Sequence, residues 1–342
     1  MVARGHDVDV VYSGVGAISA RQLPYTVHMV PHHERLYLNP LEFARFVWRA
    51  GPARGILHAH GYEGAFHRHI ARAEVRLVAT SHHPDPPSLS SPPQRWDLTR
   101  RARWARRRII ALLERRALRS ADLVVCTSAF SSLALRERGY FGRETRIAIV
   151  HNGAPPLPGG QEPEIGVELV CVARLDYHKG IDVLLRALSL LEEPRPYLDL
   201  VGIGREEATL RELAGILNVR HRVRFRGQLN REELAACLGG AIALVLPSRS
   251  ENFPLVVLEA MQAGVAVVAT SVGGIPEAVR GGEEALLVPP EDPAALAGAL
   301  ARILYDRPLC RQLAAAAFVR GKRFTWEQAA TEYEDLYSSV QH

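Results

Sequence analysis

At 342 residues the chain is long enough for two domains of ordinary size. It is 47% hydrophobic and 23% charged, the balance of a globular protein. No run approaches the roughly 18 uninterrupted apolar residues that a membrane-spanning helix needs. The net charge of +5 is local, because segment 95–119 holds ten arginines against Asp97 and Glu114 and the remainder is net acidic. Cys126, Cys171, Cys237 and Cys310 lie far apart without a C-x-x-C pair, which predicts reduced core thiols, not a disulfide framework or a zinc site.

Short β-branched runs alternate with helical patterns. Strands are predicted over Val8–Tyr12, Gly55–Ala59, Arg76–Thr80, Leu123–Thr127 and Arg146–Val150. A Pro/Gly-rich stretch, NGAPPLPGGQEPE (152–164), reads as a linker. Beyond it come strands over Glu168–Ala173, Leu198–Val201, Val223–Arg226, Ala243–Leu246 and Ala266–Ala269. Helices are expected at Asp182–Leu191, Glu206–Leu217 and Arg231–Gly239. Such alternation of strand and helix predicts two α/β domains with parallel sheets, covered on both faces and facing a cleft. The expected division is 1–155, 156–325 and a C-terminal helix, 326–342, packing back on the first domain. Ligands of these sheets bind at the carboxyl ends of strands, so the loops that follow strands carry the function.

Four constellations qualify. In CVARLDYHKG (171–180), Arg174 and Lys179 flank a loop that opens a helix. A guanidinium fork and an ammonium near a helix N-terminus suit a phosphate, although two solvated surface cations would look the same. In SRSENFPLVVLEAMQAG (248–264), Glu251 lies in the loop after a strand and Glu259 about one turn into the next helix. Glu259 could accept paired hydroxyls such as those of a ribose, with Glu251 facing a ligand from the loop. A helix-dipole preference and a solvated loop acid are the plain alternatives. Backbone N–H groups of Asn252, Phe253 and Leu255 would be free to donate, whereas Pro254 has none.

Histidines crowd the first half, at His58, His60, His67, His69, His82 and His83. His58 and His60, two apart on a strand, share a face, but no acid or cysteine completes a metal set, so no metal is expected. His82 lies just past the strand Arg76–Thr80, where an α/β domain places active-site residues, although a hydrogen-bonded structural loop histidine would look the same. Last, YSGVGAIS (12–19) lacks the third glycine and the helix of a dinucleotide fingerprint, which argues against NAD. LVGIGREEATL (200–210) has the better strand–loop–helix context, with Gly202 and Gly204 permitting close backbone approach.

Taken in order, VARLDYHKGIDVLLRAL, LVGIGREEATLRELA, VRFRGQL, LPSRSENFPLVVLEAMQAGVAVVATSVGGIPEAV and LLVPPEDPAALAGAL resemble a family 4 glycosyltransferase of the GT-B fold. RGHDVDVVYS, LHAHG, VATSHH, ADLVVCTSAFSS and VHNGA extend the resemblance, more loosely, through the first half. Glu251-x7-Glu259 resembles the family's paired-acid signature. The resemblance implies a retaining hexosyltransferase acting on a nucleoside-diphosphate sugar, with no metal and no cofactor beyond that co-substrate. Arg174 and Lys179 would hold the diphosphate, Glu251 and the backbone at Asn252–Leu255 the transferred sugar, and Glu259 the ribose. His82 would stand near the donor sugar. The usual Glu-Gly-Phe-Gly reads Glu251-Asn252-Phe253-Pro254 here, which removes one backbone donor.

The family usually begins with a strand and a Gly-rich loop ahead of the helix that ends near RGHDV. The expectation is therefore that roughly 30–40 residues precede this start, the size of one βα unit, and that the chain as given has a weaker, less active first domain. A nucleotide-sugar epimerase on the same fold and a non-catalytic nucleotide-sugar-binding protein are the rival readings. Segment 95–119 reads either as a solvated helix face or as a basic amphipathic helix on an anionic membrane, with nucleic acid the least favoured partner. Ile109, Ile110, Leu112, Leu113, Ala117 and Leu118 mark its later part as a packed helix. A cytoplasmic enzyme of polysaccharide, glycolipid or cell-envelope glycan synthesis, peripheral on the inner membrane face, is expected. Sugar, base, acceptor and oligomeric state leave no signature.

Overall fold

The structure is a computed structural model that describes residues 9–12, 26–29, 49, 54–60, 65, 74–81, 98–142, 144–155, 166–193 and 195–341. His67, His69, His82, His83 and the glycine pair of YSGVGAIS lie outside the described residues. The chain divides into two compact units, Met1–Val150 with Ala330–His342, and His151–Ala329.

In the first unit β1 (Asp9–Tyr12) pairs in parallel with β2 (Thr26–Met29). A second parallel sheet runs β3 (Arg54–His60), β4 (Glu74–Ser81), β5 (Leu123–Cys126), β6 (Ile147–Ile149). Leu77, Val78 and Ala79 of β4 and Val124 and Val125 of β5 are fully buried, as continuous apolar strands covered on both faces must be. Helix α1 (Leu98–Ser120) connects β4 to β5, and α2 (Ala129–Glu137) follows β5 behind a capping box at Ser128. On α1, Ala111, Glu114, Ala117 and Leu118 face inward at helical spacing. Ile109 and Leu112 do not pack as expected. They are 39% and 63% exposed and share the outer face with Arg116 and Arg119, because three- and four-residue steps from Ile109 lead away from the buried stripe.

The second unit holds six parallel strands in the order β12-β11-β10-β7-β8-β9. They are β7 (Glu168–Val172), β8 (Leu198–Val201), β9 (Val223–Gly227), β10 (Ala241–Leu246), β11 (Ala266–Thr270) and β12 (Ala285–Val288). Every residue of β10 and β11 is buried. Helices α3 (Ile181–Leu190), α4 (Glu207–Ile216), α5 (Arg231–Gly239), α6 (Leu255–Gln262), α7 (Ile275–Ala278), α8 (Pro293–Tyr305) and α9 (Arg307–Gly321) complete the unit. α3 alone buries Ile181, Val183, Leu184, Leu185, Ala187 and Leu188. Truncating one such leucine to alanine costs about 2–5 kcal/mol.

Both predicted sets of strands are present with small shifts at their ends, and β2 and β12 are additional. Part of the expected linker is seated: Ala154 is fully buried and its N–H donates to Phe324 O at 3.0 Å, while Gln262 Nε2 reaches Ala154 O at 3.1 Å. The last helix, α10 (Trp326–Gln341), passes from the second unit into the first at Ala330. There Tyr333 and Tyr337 meet the carboxyl ends of β3 and β4. Among the described residues, no helix is long and apolar enough to cross a membrane.

Candidate functional site

The strand order of the second unit reverses between β7 and β10, the switch point at which loops diverge and leave a crevice for a ligand. The loop after β7 turns through a single 3-10 turn, Tyr177–Lys179, before α3. The loop after β10 runs to Pro254, the N-cap of α6. Arg249 N–H donates to His178 O at 2.8 Å and so joins the two loops along their backbones.

Lys179 and Glu251 meet across this junction. Lys179 Nζ donates to Glu251 Oε1 at 2.6 Å, and Ser248 Oγ donates to the same oxygen at 2.7 Å. Their side chains are only 18% and 8% exposed. An ion pair so enclosed has given up hydration that costs several kcal/mol per ion, so it is poor evidence of stability and better evidence of a prepared site. Ser248 is itself held, since Thr270 Oγ1 donates to Ser248 O at 2.6 Å. Asn252 O accepts from Gly274 N–H at 2.8 Å, which ties the acidic loop to the N-terminus of α7. Phe253 is buried and stacks on the His151 ring, their centroids 4.6 Å apart. Pro254 supplies no N–H, and Leu255 opens α6.

Glu259 is half-buried on α6. Burial pushes its carboxyl above the ordinary 4.5, partly offset by the charge of Arg231. Arg174 is exposed and pairs with Asp176 at 3.3 Å instead of joining Lys179 and Glu251. Burial, followed by the charges of Lys179 and Arg174, lowers the His178 imidazole. Beneath the loops Cys171 is wholly buried, which pushes its thiol up to about 12 and leaves it inert.

Gly202 and Gly204 close off the neighbouring β8. A Cβ at Gly202 would lie 2.0 Å from Ala173 O, and one at Gly204 would lie 2.3 Å from Leu175 O. The close approach that these glycines allow in this structure is between the backbones of the β7 and β8 loops. Leu175 N–H donates to Ile203 O at 3.0 Å and Glu206 N–H to Leu175 O at 2.9 Å, fastening the two together.

Sequence reasoning missed Arg249. Its Nη1 donates to Asp182 Oδ1 at 2.7 Å and to Tyr177 O at 2.6 Å. Its Nη2 donates to Asp182 Oδ2 at 2.8 Å and Glu291 Oε2 at 2.9 Å, and its Nε donates to Glu291 Oε1. The guanidinium also lies 4.0 Å over the Tyr177 ring. These contacts hold the guanidinium above its usual pKa. Burial alone would raise the Asp182 carboxyl, but the hydrogen bonds and charge of Arg249 bring it below its usual value. The signal was an arginine inside the quoted stretch, but its partners stand 67 and 42 residues away.

In the first unit His58 and His60 stack at 4.6 Å, on one face as their spacing requires. The two nitrogens of His58 lie 2.6 Å from Tyr337 OH and 2.6 Å from Thr80 Oγ1. Ser81 Oγ, at the end of β4, donates to the buried Glu114 at 3.1 Å. Among the described residues no group of three His, Cys, Asp or Glu side chains is gathered for a metal ion.

The family model of Glycosyl transferases group 1 matches residues 160–320, and that of Glycosyltransferase Family 4 matches residues 1–156. D-inositol 3-phosphate glycosyltransferase of Streptomyces scabiei is 32% identical over 253 residues, covering 67% of this chain and 56% of that protein. The chain thus spans just over half the length of that relative. Glycogen synthase of Mycobacterium tuberculosis is 32% identical over 296 residues, covering 82% of this chain and 68% of the synthase. Among solved structures, sucrose-phosphate synthase from Thermosynechococcus elongatus superposes with a TM-score of 0.78 at 25% identity, covering 99% and 90% of the two chains. Anabaena HepE, solved in complex with UDP-glucose, gives a TM-score of 0.71 at 23% identity, over 92% and 86%. Two parallel α/β units, the Lys179–Glu251 pair at the switch point and these matches agree: the chain belongs to the family 4 glycosyltransferases and has the GT-B fold.

Proposed function

We propose that the chain is a retaining glycosyltransferase that moves a sugar from a nucleoside-diphosphate sugar to an acceptor hydroxyl. The observation that carries this reading is the 2.6 Å contact of Lys179 with Glu251 between the loops of β7 and β10. A cation and an acid stand together where a phosphate and a sugar hydroxyl would adjoin. Donor diphosphate would displace the Glu251 carboxylate from Lys179, with Arg174 swinging from Asp176 to share the load. The freed Glu251 then accepts from hydroxyls of the transferred sugar, and Glu259 accepts from the ribose. Gly202, Gly204 and the backbone at Asn252, Phe253, Pro254 and Leu255 shape the approach.

In the reaction the acceptor oxygen bonds to the anomeric carbon on the face that phosphate leaves, so configuration is retained. The carbon–oxygen bond to phosphate breaks with its electron pair, and the acceptor proton passes to the departing oxygen. Lys179 and Arg174 stabilise the charge that develops there, a contribution of the kind worth roughly 100- to 1000-fold per donor. With that charge met by side chains, turnover needs no divalent cation. The acceptor belongs to polysaccharide, glycolipid or cell-envelope glycan synthesis on the cytoplasmic side. The exposed Ile109 and Leu112 among the arginines of α1 favour peripheral contact with an anionic membrane over nucleic acid.

The test is a thermal-shift screen with UDP, GDP, ADP and their glucose conjugates, followed by a transfer assay. One nucleoside diphosphate and its sugar conjugate should stabilise the chain, with donor consumed only when an acceptor is supplied. Isomerised donor without acceptor would replace transfer by epimerisation. Stabilisation without any consumption would reduce the chain to a binding protein.

A further inference from the structure

The proposed roles leave Arg249 unused, although it makes the densest polar contacts of the site. A guanidinium has five N–H donors. Here all five are engaged: two on Asp182 of α3, two on Glu291 after β12 and one on Tyr177 O. The Arg249 backbone N–H also holds His178 O. Residues on both sides of the guanidinium's anchor therefore belong to the site. The Tyr177–Lys179 turn ends in Lys179, and Glu251 stands two residues beyond Arg249. The side chain is 12% exposed, too enclosed for a merely solvated surface charge.

Glu291 has φ 60, in the left-handed region where a non-glycine residue costs of the order of 1 kcal/mol. Glycine would be unstrained there, but glycine has no carboxylate to offer Arg249. The loop after β12 thus keeps a strained residue whose side chain completes the grip.

We propose that Arg249, clamped by Asp182 and Glu291, is a positioning residue that sets the distance between the diphosphate-holding Lys179 and the sugar-reading Glu251. This rests on the donor-site reading above. A rigid fork is needed because lysine, with three donors on a flexible stem, can reach one carboxylate but cannot span two carboxylates and a carbonyl. If the clamp slackens, the cation and the acid no longer present themselves to adjoining parts of one donor. Affinity for the nucleoside diphosphate then changes little, and the additional affinity supplied by the sugar disappears.

The test measures, by calorimetry on the full chain, binding of UDP, GDP or ADP, whichever stabilises the parent most, and of its glucose conjugate. Failure of the parent to bind any of these defeats the donor-site reading itself, and the clamp with it. If the parent binds, Arg249→Lys should reduce the ratio of sugar-conjugate to nucleoside-diphosphate affinity about tenfold or more. In a Glu251→Gln background the same substitution should leave the ratio unchanged, because groups that act as a unit are not additive. Glu291→Gly should also lower the ratio, by about threefold, without lowering Tm, since backbone strain is relieved as the carboxylate is lost. Should Arg249→Lys not fold, Glu291→Gly decides alone. An unchanged ratio in a folded variant, an equal fall in both backgrounds, or a loss of Tm matching the loss of affinity would overturn the proposal.

Discussion

The carboxyl ends of the strands are dressed differently in the two units. In the first, His58 sits among the hydroxyls of Thr80, Tyr333 and Tyr337, and Ser81 donates to Glu114. In the second, Lys179 pairs with Glu251 and Arg249 with Asp182 and Glu291. Neutral donors and acceptors give up little hydration when they pair, whereas ions give up several kcal/mol each. Among the described residues, the ion pairs at these strand ends, with their costly desolvation, stand in the second unit. Under the proposed function, that unit would stabilise charge on a departing phosphate.

The charged strand ends of the second unit are the more sensitive to substitution. Replacing Arg174 and Lys179 together by alanine should reduce turnover at least ~1000-fold. Chelator should leave the parent rate untouched. A strict requirement for a divalent cation would hand the diphosphate to a metal and remove these two side chains from the role.

Backbone packing separates the units next. Gly273 has φ 60 and a Cβ there would lie 1.8 Å from Glu251 O, so Gly273→Ala should cost about 3 kcal/mol and displace the acidic loop. In the first unit Gly139 has φ 69, but its nearest would-be contact, Arg115 Nη2, is 3.6 Å away. Gly139→Ala should therefore cost only the ~1 kcal/mol of a left-handed backbone. Denaturant melts of the two variants that give equal losses would show that close approach at Gly273 is relieved more easily than the geometry implies.

Ligand binding separates the two acids. Glu259→Ala should weaken binding of the nucleoside diphosphate by roughly 1.5–3 kcal/mol, the worth of hydrogen bonds to a charged acceptor. Glu251→Ala should leave that binding nearly intact and cut turnover and sugar discrimination. Titrating both with the same nucleotide checks the division, and equal losses would erase it.

A subtler effect is common to both units. Burial raises the carboxyls of Glu114, which also accepts a hydrogen bond from Ser81, and of Glu259 above the ordinary 4.5. A raised acid binds its proton more tightly folded than unfolded. Its contribution is therefore fully present below 4.5 and lost as pH rises through the folded value. Glu114→Gln and Glu259→Gln should each raise Tm at pH 7.5 and leave it unchanged at pH 4. A Tm gain at the acidic end instead would mean that burial is not the dominant cause.

The smallest effect belongs to α1. Anionic vesicles should sediment the parent at low salt and release it at about 0.15 M or above, where exposed charges are screened beyond ~8 Å. Changing Ile109 and Leu112 to serine should weaken sedimentation a few-fold. Equal binding to neutral and anionic vesicles would end the membrane reading.

Much of this was legible along the chain. Ala243–Leu246 and Ala266–Ala269 were readable as strands because near-continuous apolar runs between helical patterns have one low-cost outcome, a parallel sheet covered on both faces. Glu251 and Glu259 were readable as a pair because their spacing, the preceding strand and the Arg/Lys loop all lie within local segments. The side of α1 that faces outward was not: apolar residues at Ile109 and Leu112 look like those at Ala117 and Leu118 until the buried stripe is known.

The sequence by itself therefore determined the elements, the α/β class and which loops carry charge, since each depends on side-chain periodicity over a few residues. Only the tertiary structure decided that Lys179 meets Glu251, that Gly204 lies against Leu175, and that Arg249 gathers Asp182 and Glu291. Those meetings follow from the strand order that makes β7 and β10 neighbours, with Glu168 beside Ala241, far apart along the chain. Pairing at that separation depends on how the whole sheet is wound, and no local pattern records it.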